Sequence, residues 1–212
     1  MNLFGQVAFT QPFVRHFRLR QSGQIINVSS VGSIAVFPSM GAYSGTKAAL
    51  NAFSDALHAE LRPYGVRVLT LLPGYFETNI FKAHSLHRNT INSDSLNSPL
   101  AHSEVYTDPA QGYNAVNVLP DYSIATGRVG DPAKFAAAVY DIVSESGVST
   151  GLRFGKGEEF ECTRIALGTD AGEAIHRRSS ALVESVAKQE PLWRSTDMSP
   201  EELTVLRRNV GI

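Results

Sequence analysis

An α/β chain built on a parallel sheet is predicted by three observations. Two apolar runs of strand length, Gln24–Ser29 and Val66–Leu72, are rich in Val, Ile and Leu. The segment between them, residues 42–62, carries the clearest helical periodicity of the chain. Another helical pattern opens at Asp131-Pro132, beyond a long polar stretch. Strands that alternate with helices point to strand–helix–strand units and parallel pairing.

Residues 3–20 read as a helix with Leu3, Val7, Phe13, Val14 and Phe17 as apolar positions, and Pro12 is expected to kink it. Gln24–Ser29 is the first strand, and an apolar loop containing Gly and Ser follows to Gly41. In 42–62, Leu50, Phe53, Leu57 and Leu61 form one stripe, while Ala48, Ala49, Ala52, Ala56 and Ala59 allow close packing. Pro63 and Gly65 end that helix. Val66–Leu72 suits a strand covered on both faces. Residues 78–130 are polar and long for a loop, which fits a lid, a binding loop or disorder. Asp131 and Pro132 supply an N-cap and a first-turn proline, and Phe135, Val139, Ile142 and Val143 form the apolar face that follows. One short strand is expected within 152–167. Asp170 with Glu173 reads as a capping box for a helix reaching about Lys188, and Ser199 with Glu202 repeats the signal for a short terminal helix.

With 212 residues the chain is long enough for a substantial core. Its 19 Lys and Arg against 20 Asp and Glu argue against binding nucleic acid or an anionic membrane by bulk charge. Cys162 is the single cysteine, so an intrachain disulfide is excluded, and it reads as a small core residue. No apolar run is long enough to span a bilayer. The first acidic residue is Asp55, and Arg15, Arg18 and Arg20 precede it, a pattern that also suits a transit peptide. The chemistry-bearing residues lie in the same stretch, so a cytoplasmic protein is the expectation.

Those residues are Ser30, Tyr43 and Lys47. Ser30 follows the first strand, at the end of a sheet where open α/β folds bind ligands. Tyr43 and Lys47 are four apart and share one face of a helix. A tyrosine is mostly protonated near neutrality, and an ammonium close by favours the phenolate. Such a pair can give or take a proton, while a serine hydroxyl steadies charge on a carbonyl oxygen.

The stretch resembles the short-chain dehydrogenase/reductase family of nicotinamide-dependent oxidoreductases. Gly23-Gln-Ile-Ile-Asn-Val-Ser-Ser30 is similar to the family's active-site strand, and Tyr43-Ser-Gly-Thr-Lys-Ala-Ala-Leu50 to its catalytic helix. Val66-Arg-Val-Leu-Thr-Leu-Leu-Pro-Gly74 resembles the next strand, with Thr78 at the Pro-Gly-x-x-x-Thr position. Asn2-Leu3-Phe4-Gly5 resembles the Asn-x-x-Gly segment. The likeness is strong over about residues 1–80 and looser beyond.

The resemblance implies a Rossmann-like, doubly wound parallel sheet that lacks its N-terminal half. No Gly-x-x-x-Gly-x-Gly turn after an apolar strand and no Asn-Asn-Ala-Gly segment occurs in these residues. It implies a single domain with a catalytic core over 1–77, a substrate lid over 78–130 and C-terminal helices over 131–212. It implies hydride transfer between NAD or NADP and a small carbonyl or alcohol substrate. Tyr43 transfers the proton, Lys47 supports the phenolate and binds the nicotinamide ribose, Ser30 holds the substrate oxygen and Asn2 anchors a relay water. Pro73, Gly74, Phe76 and Thr78, with Tyr43 and Lys47, contact the cofactor. In the family the 42–62 helix also pairs across a dimer interface, so a homo-oligomer through it is one expectation. Phe76, Phe81, Tyr106, Tyr113 and Tyr122 are candidates for the wall of a hydrophobic, secondary-metabolite-like substrate site, or for pinning the lid to the core. The rival expectations are a catalytically inactive fragment that binds a full-length relative, its first strand left with an open edge, and a chain whose true start lies upstream.

Other constellations are weaker. His84, His87 and His102 lack the Cys or carboxylate that would complete a zinc site, so no metal is expected. Ser30 has no Gly-x-Ser-x-Gly elbow around it, against a hydrolase. The short basic groups read as solvated faces.

Overall fold

A computed structural model describes residues 2–37, 40–78, 125–152 and 163–210. The chain forms two compact units, Met1–Ile175 and His176–Ile212. The first contains helix α1 (Phe4–Arg20), strand β1 (Gly23–Val28), a 3₁₀ turn at Val31–Ser33, α2 (Gly41–Leu61), β2 (Val66–Pro73), α3 (Pro132–Ser144) and β3 (Arg164–Leu167). Helix α4 (Thr169–Lys188) begins there, and α5 (Glu190–Arg194) and α6 (Pro200–Val210) belong to the second unit. Among the described residues no helix is long and apolar enough to cross a membrane.

The sheet has the order β1-β2-β3, and both pairings are parallel. β2 is central and every residue from Val68 to Leu72 is buried, as its unbroken apolar run requires. Alternation along β2 divides the core. Val66 and Val68 join Ile25, Leu57 and Leu61, with Val14, Phe17 and Phe53 packed on them from α1 and α2. Leu69 and Leu71 join Ile142 and Ile165, with Phe135 and Val139 of α3 against them. Helices therefore cover both faces of the sheet.

β1 is seated on α2 by polar bonds as well as apolar contact. Asn27 Nδ2 donates to Ser54 Oγ at 2.9 Å, and Ser54 Oγ donates to Leu50 O at 2.7 Å. Asn27 and Ser54 are both buried, so each satisfies a group that would otherwise be left dry. Gly65 closes the turn from α2 into β2. Its φ is +67°, and a Cβ there would stand 2.8 Å from Gln21 O, so both backbone shape and close approach demand glycine.

Most expected elements are present, with one difference of detail. Pro12 lies within α1, which runs from Phe4 to Arg20. Asp131 caps α3 as expected, its Oδ1 accepting from Ala133 N at 2.7 Å. Asp170 and Glu173 do not form a capping box. Helix α4 begins at Thr169, so Asp170 lies inside its first turn; Asp170 accepts from Tyr75 N at 2.7 Å, and Glu173 pairs with Arg128 at 3.0 Å. Both carboxylates find partners from distant segments, and tertiary contact overrides the local signal. Phe81, Tyr106, Tyr113, Tyr122, the three weighed histidines, Cys162 and most of the 78–130 segment lie outside the described residues.

In the second unit the Ser199–Glu202 box forms as read. Ser199 N donates to Glu202 Oε2 at 2.7 Å and Glu202 N to Ser199 Oγ at 3.3 Å.

Two predictions follow from these contacts. Asn27→Ala removes a buried hydrogen bond and should lower stability by about 1–3 kcal/mol, read as a lower urea midpoint; an unchanged midpoint contradicts the seam described here. The Ser199 backbone N–H, and then its hydroxyl, hold the Glu202 carboxyl below its ordinary value of 4.5. A carboxyl lowered on folding stabilises fully above its unfolded value and loses that stabilisation as pH falls through its folded value. Amide exchange in α6 should therefore quicken as pH drops below 4.5, after correction for intrinsic rates, and Glu202→Gln should flatten that dependence.

Candidate active site

β1 ends at Val28 beside Leu71, and β2 runs two residues further, to Pro73. The residues that follow both strands therefore meet at one carboxyl edge of the sheet, where open α/β folds hold ligands.

Ser30 stands two residues beyond β1 with extended backbone, φ −164°. Its Oγ accepts from Gly32 N at 3.1 Å and so caps the short turn that follows. Its carbonyl accepts from Ser33 Oγ at 2.5 Å, and Ser33 Oγ accepts from Asn51 Nδ2 at 2.8 Å. Ser30 is thus tied through Ser33 to α2. Gly32 is the floor of the site. The point where its Cβ would stand is 3.4 Å from Ser30 Oγ, 3.6 Å from Ser44 Oγ and 3.8 Å from Tyr43 Cε1. Ser30 and Tyr43 converge on this buried glycine.

Tyr43 is the third residue of α2 and Lys47 lies one turn on. Lys47 Nζ is 5.9 Å from the centroid of the Tyr43 ring and donates to Val28 O at 2.8 Å. The Lys47 carbonyl accepts from Ser29 Oγ at 3.1 Å. Burial lowers the Lys47 amine from its ordinary value of 10.5. Its ammonium is therefore easier to deprotonate than one in water.

The other strand end is held as firmly. Gly74 N donates to Leu167 O at 2.9 Å, Gly130 N to Tyr75 O at 2.8 Å and Glu77 N to Gly130 O at 3.1 Å. Phe76 forms a parallel bridge with Gly130, and its ring meets Phe135 edge-on at 5.0 Å. The ring therefore packs on α3, while strand alternation turns the Phe76 N–H and carbonyl away from Gly130. Pro73 closes β2, and Thr78 is exposed at the last described position before 79–124.

Asn2 is exposed in the turn ahead of α1. No hydrogen bond among the described residues joins Asn2 to Ser30, Tyr43 or Lys47. Sequence reasoning did not single out Gly32, Gly130 or the true partner of Asp170. A glycine two residues past Ser30, and Gly168-Thr-Asp170 directly after a short strand, are the signals that point to them.

The family profile described as short chain dehydrogenase matches residues 1–89. Estradiol 17-beta-dehydrogenase 2 of Rattus norvegicus is 42% identical over 80 residues, which are 38% of this chain and 21% of that protein. The uncharacterized oxidoreductase YusZ of Bacillus subtilis is 27% identical over 165 residues, 77% of this chain and 54% of that protein. The chain thus spans about half or less of the length of these two curated relatives. The crystal structure of a short-chain dehydrogenase from Streptomyces avermitilis superimposes with a TM-score of 0.62 at 30% identity, covering 93% of this chain and 60% of that one. That likeness identifies the parallel sheet with its flanking helices as Rossmann-like. Oxidoreductases of this family use NAD or NADP with small-molecule substrates. The profile match, the relatives and the shared fold together make this chain similar to short-chain dehydrogenases, with the family profile matching residues 1–89.

Proposed function

We propose that this chain supplies the proton-transfer half of an NAD- or NADP-dependent oxidoreductase that interconverts a carbonyl compound and its alcohol. The convergence of Ser30 Oγ and the Tyr43 ring on Gly32, with the Lys47 amine beside that ring, carries the reading. A side chain at Gly32 would fill the space against which a substrate oxygen rests.

The donor set fits the nicotinamide and its ribose. The Lys47 amine is partly desolvated at the carboxyl edge, and the Phe76 N–H is turned away from its strand partner. Lys47 binds the ribose, and the Pro73–Thr78 backbone with the Thr78 hydroxyl holds the carboxamide. A bound nicotinamide supplies or accepts the hydride at its C4. Ser30 Oγ accepts from Gly32, so its own hydrogen is left to donate to the substrate oxygen. Tyr43 Oη gives its proton to that oxygen in reduction and takes it back in oxidation. The Lys47 ammonium stabilises the phenolate left behind, and Val28 O keeps it in place. Asn2 anchors a water that returns the proton from solvent. The substrate is a hydrophobic carbonyl or secondary alcohol enclosed by the 78–130 segment. The name of the rat relative, which refers to estradiol, supports a polycyclic compound. α2 leaves Gly45, Ala48, Ala52, Ala56 and Ala59 exposed on a small-residue face, which supports self-association through this helix.

A second reading is favoured by one observation. β1 pairs only with β2 among the described residues, and Phe9 and Phe13 of α1 stay exposed beside its other edge. A catalytically silent chain that joins a full-length relative there has the same site geometry.

Tyr43→Phe separates the two. With NADH or NADPH and a panel of hydrophobic ketones, the oxidoreductase reading expects turnover by the unaltered chain. It expects a loss of about 10²–10⁴ in kcat for the variant at an unchanged far-ultraviolet dichroism spectrum. Full turnover by the variant removes Tyr43 from the mechanism. A silent unaltered chain that binds a full-length relative, and binds it equally well as the variant, establishes the second reading.

A further inference from the structure

The Asp170 carboxylate is distant in sequence from every residue of the proposed site, yet it lies at the segment assigned to the nicotinamide carboxamide. Its Oδ2 accepts from Tyr75 N at 2.7 Å. Its position is enforced by two glycines. A methyl group at Gly74 would overlap the carboxylate, and one at Gly168, whose φ is +104°, would meet Asp170 Oδ1 at 2.7 Å and Phe76 Cε2 at 3.7 Å. The tight packing of Gly74, Gly168 and Asp170 is therefore shaped around the acid. Asp170 is the second residue of α4, a 20-residue helix, where the positive end of the helix dipole favours its negative charge. The adjacent Glu173 extends the anchoring, since its pair with Arg128 ties α4 to the segment that carries Gly130.

Without Asp170 the Tyr75 N–H would lose its acceptor. Tyr75 immediately precedes Phe76, whose backbone is turned away from Gly130. A hydrogen bond to an ionised acceptor is stronger than one between neutral groups, so this contact holds the segment more firmly than an ordinary turn bond.

We propose that Asp170 is a positioning residue: by accepting the Tyr75 amide hydrogen it holds the Gly74–Thr78 backbone in the conformation that receives the nicotinamide carboxamide. This rests on the oxidoreductase reading for its ligand, though not for the anchoring itself.

Two measurements on the 212-residue chain test it. The first is amide hydrogen exchange over residues 74–78 without nucleotide. The second is fluorescence titration with NADH and NADPH. Asp170→Ala should speed exchange at Tyr75 by about tenfold or more and weaken nucleotide binding by about tenfold, the scale expected for one charged hydrogen bond. Asp170→Asn keeps an acceptor oxygen in the same place without the charge and should restore part of both, which a loss of general stability would not do. Protection that is unchanged in Asp170→Ala overturns the proposal. So does faster exchange with unaltered nucleotide affinity, or an Asn variant that behaves like the Ala variant. An unaltered chain that binds neither nucleotide refutes the oxidoreductase reading alone, and the exchange data still decide whether Asp170 anchors the segment.

Discussion

The end of β1 and the side of α2 hold each other at Lys47, and the site is assembled from that contact. The amine reaches across to Val28 O while the backbone carbonyl of the same residue receives Ser29 Oγ. Two bonds in opposite senses fix both the rotation of α2 and its height along the strand. A slip of one helical position would move Tyr43 off Gly32 and take from Asn27 and Ser29 their partners on α2 in a dry interior. Stranded polar groups are costly there, so the seam selects one register among several that apolar packing alone would tolerate. The price is visible nearby: Ser44 Oγ and Asn51 Oδ1 are buried with no hydrogen-bond partner among the described residues.

The second strand end is shaped by absence of side chains. Gly74, Gly130 and Gly168 each face a group that a methyl would displace: the Asp170 carboxylate for the first and third, the Phe76 ring for the second. Their smallness lets three separate segments, following β2, preceding α3 and opening α4, close on one another. The Phe76 ring, packed on Phe135, then acts as a wedge that holds its own backbone outward. Rigid strand ends carrying short irregular segments are a general way to place functional groups.

Much of this was legible in the sequence, for physical reasons. β2 was readable because a central parallel strand must be apolar on both faces. α2 was readable because Leu50, Leu57 and Leu61 recur at helical spacing and all three are buried. Ser30, Tyr43 and Lys47 stood out because a tyrosine and a lysine four apart, with a serine just past a strand, suit the proposed proton transfer. Asp170 was misread because an acid three residues before a glutamate is also a helix-start signal, and only tertiary contact chooses between a cap and a distant amide. Substrate identity was not legible, since a polar connecting segment records exposure to water more than the shape of a ligand.

The central claim is that the carboxyl ends of β1 and β2 receive a nicotinamide ring beside the substrate oxygen that rests at Gly32. Reduced nicotinamide mononucleotide tests it most directly, because that molecule carries the nicotinamide riboside alone and asks nothing of a phosphate-binding turn. Amide chemical shifts of the isotopically labelled chain should move at Gly32, Tyr43, Lys47, Phe76 and Thr78 as the mononucleotide is added. Shifts confined to other parts of the chain, or none at saturating concentration, would contradict the claim.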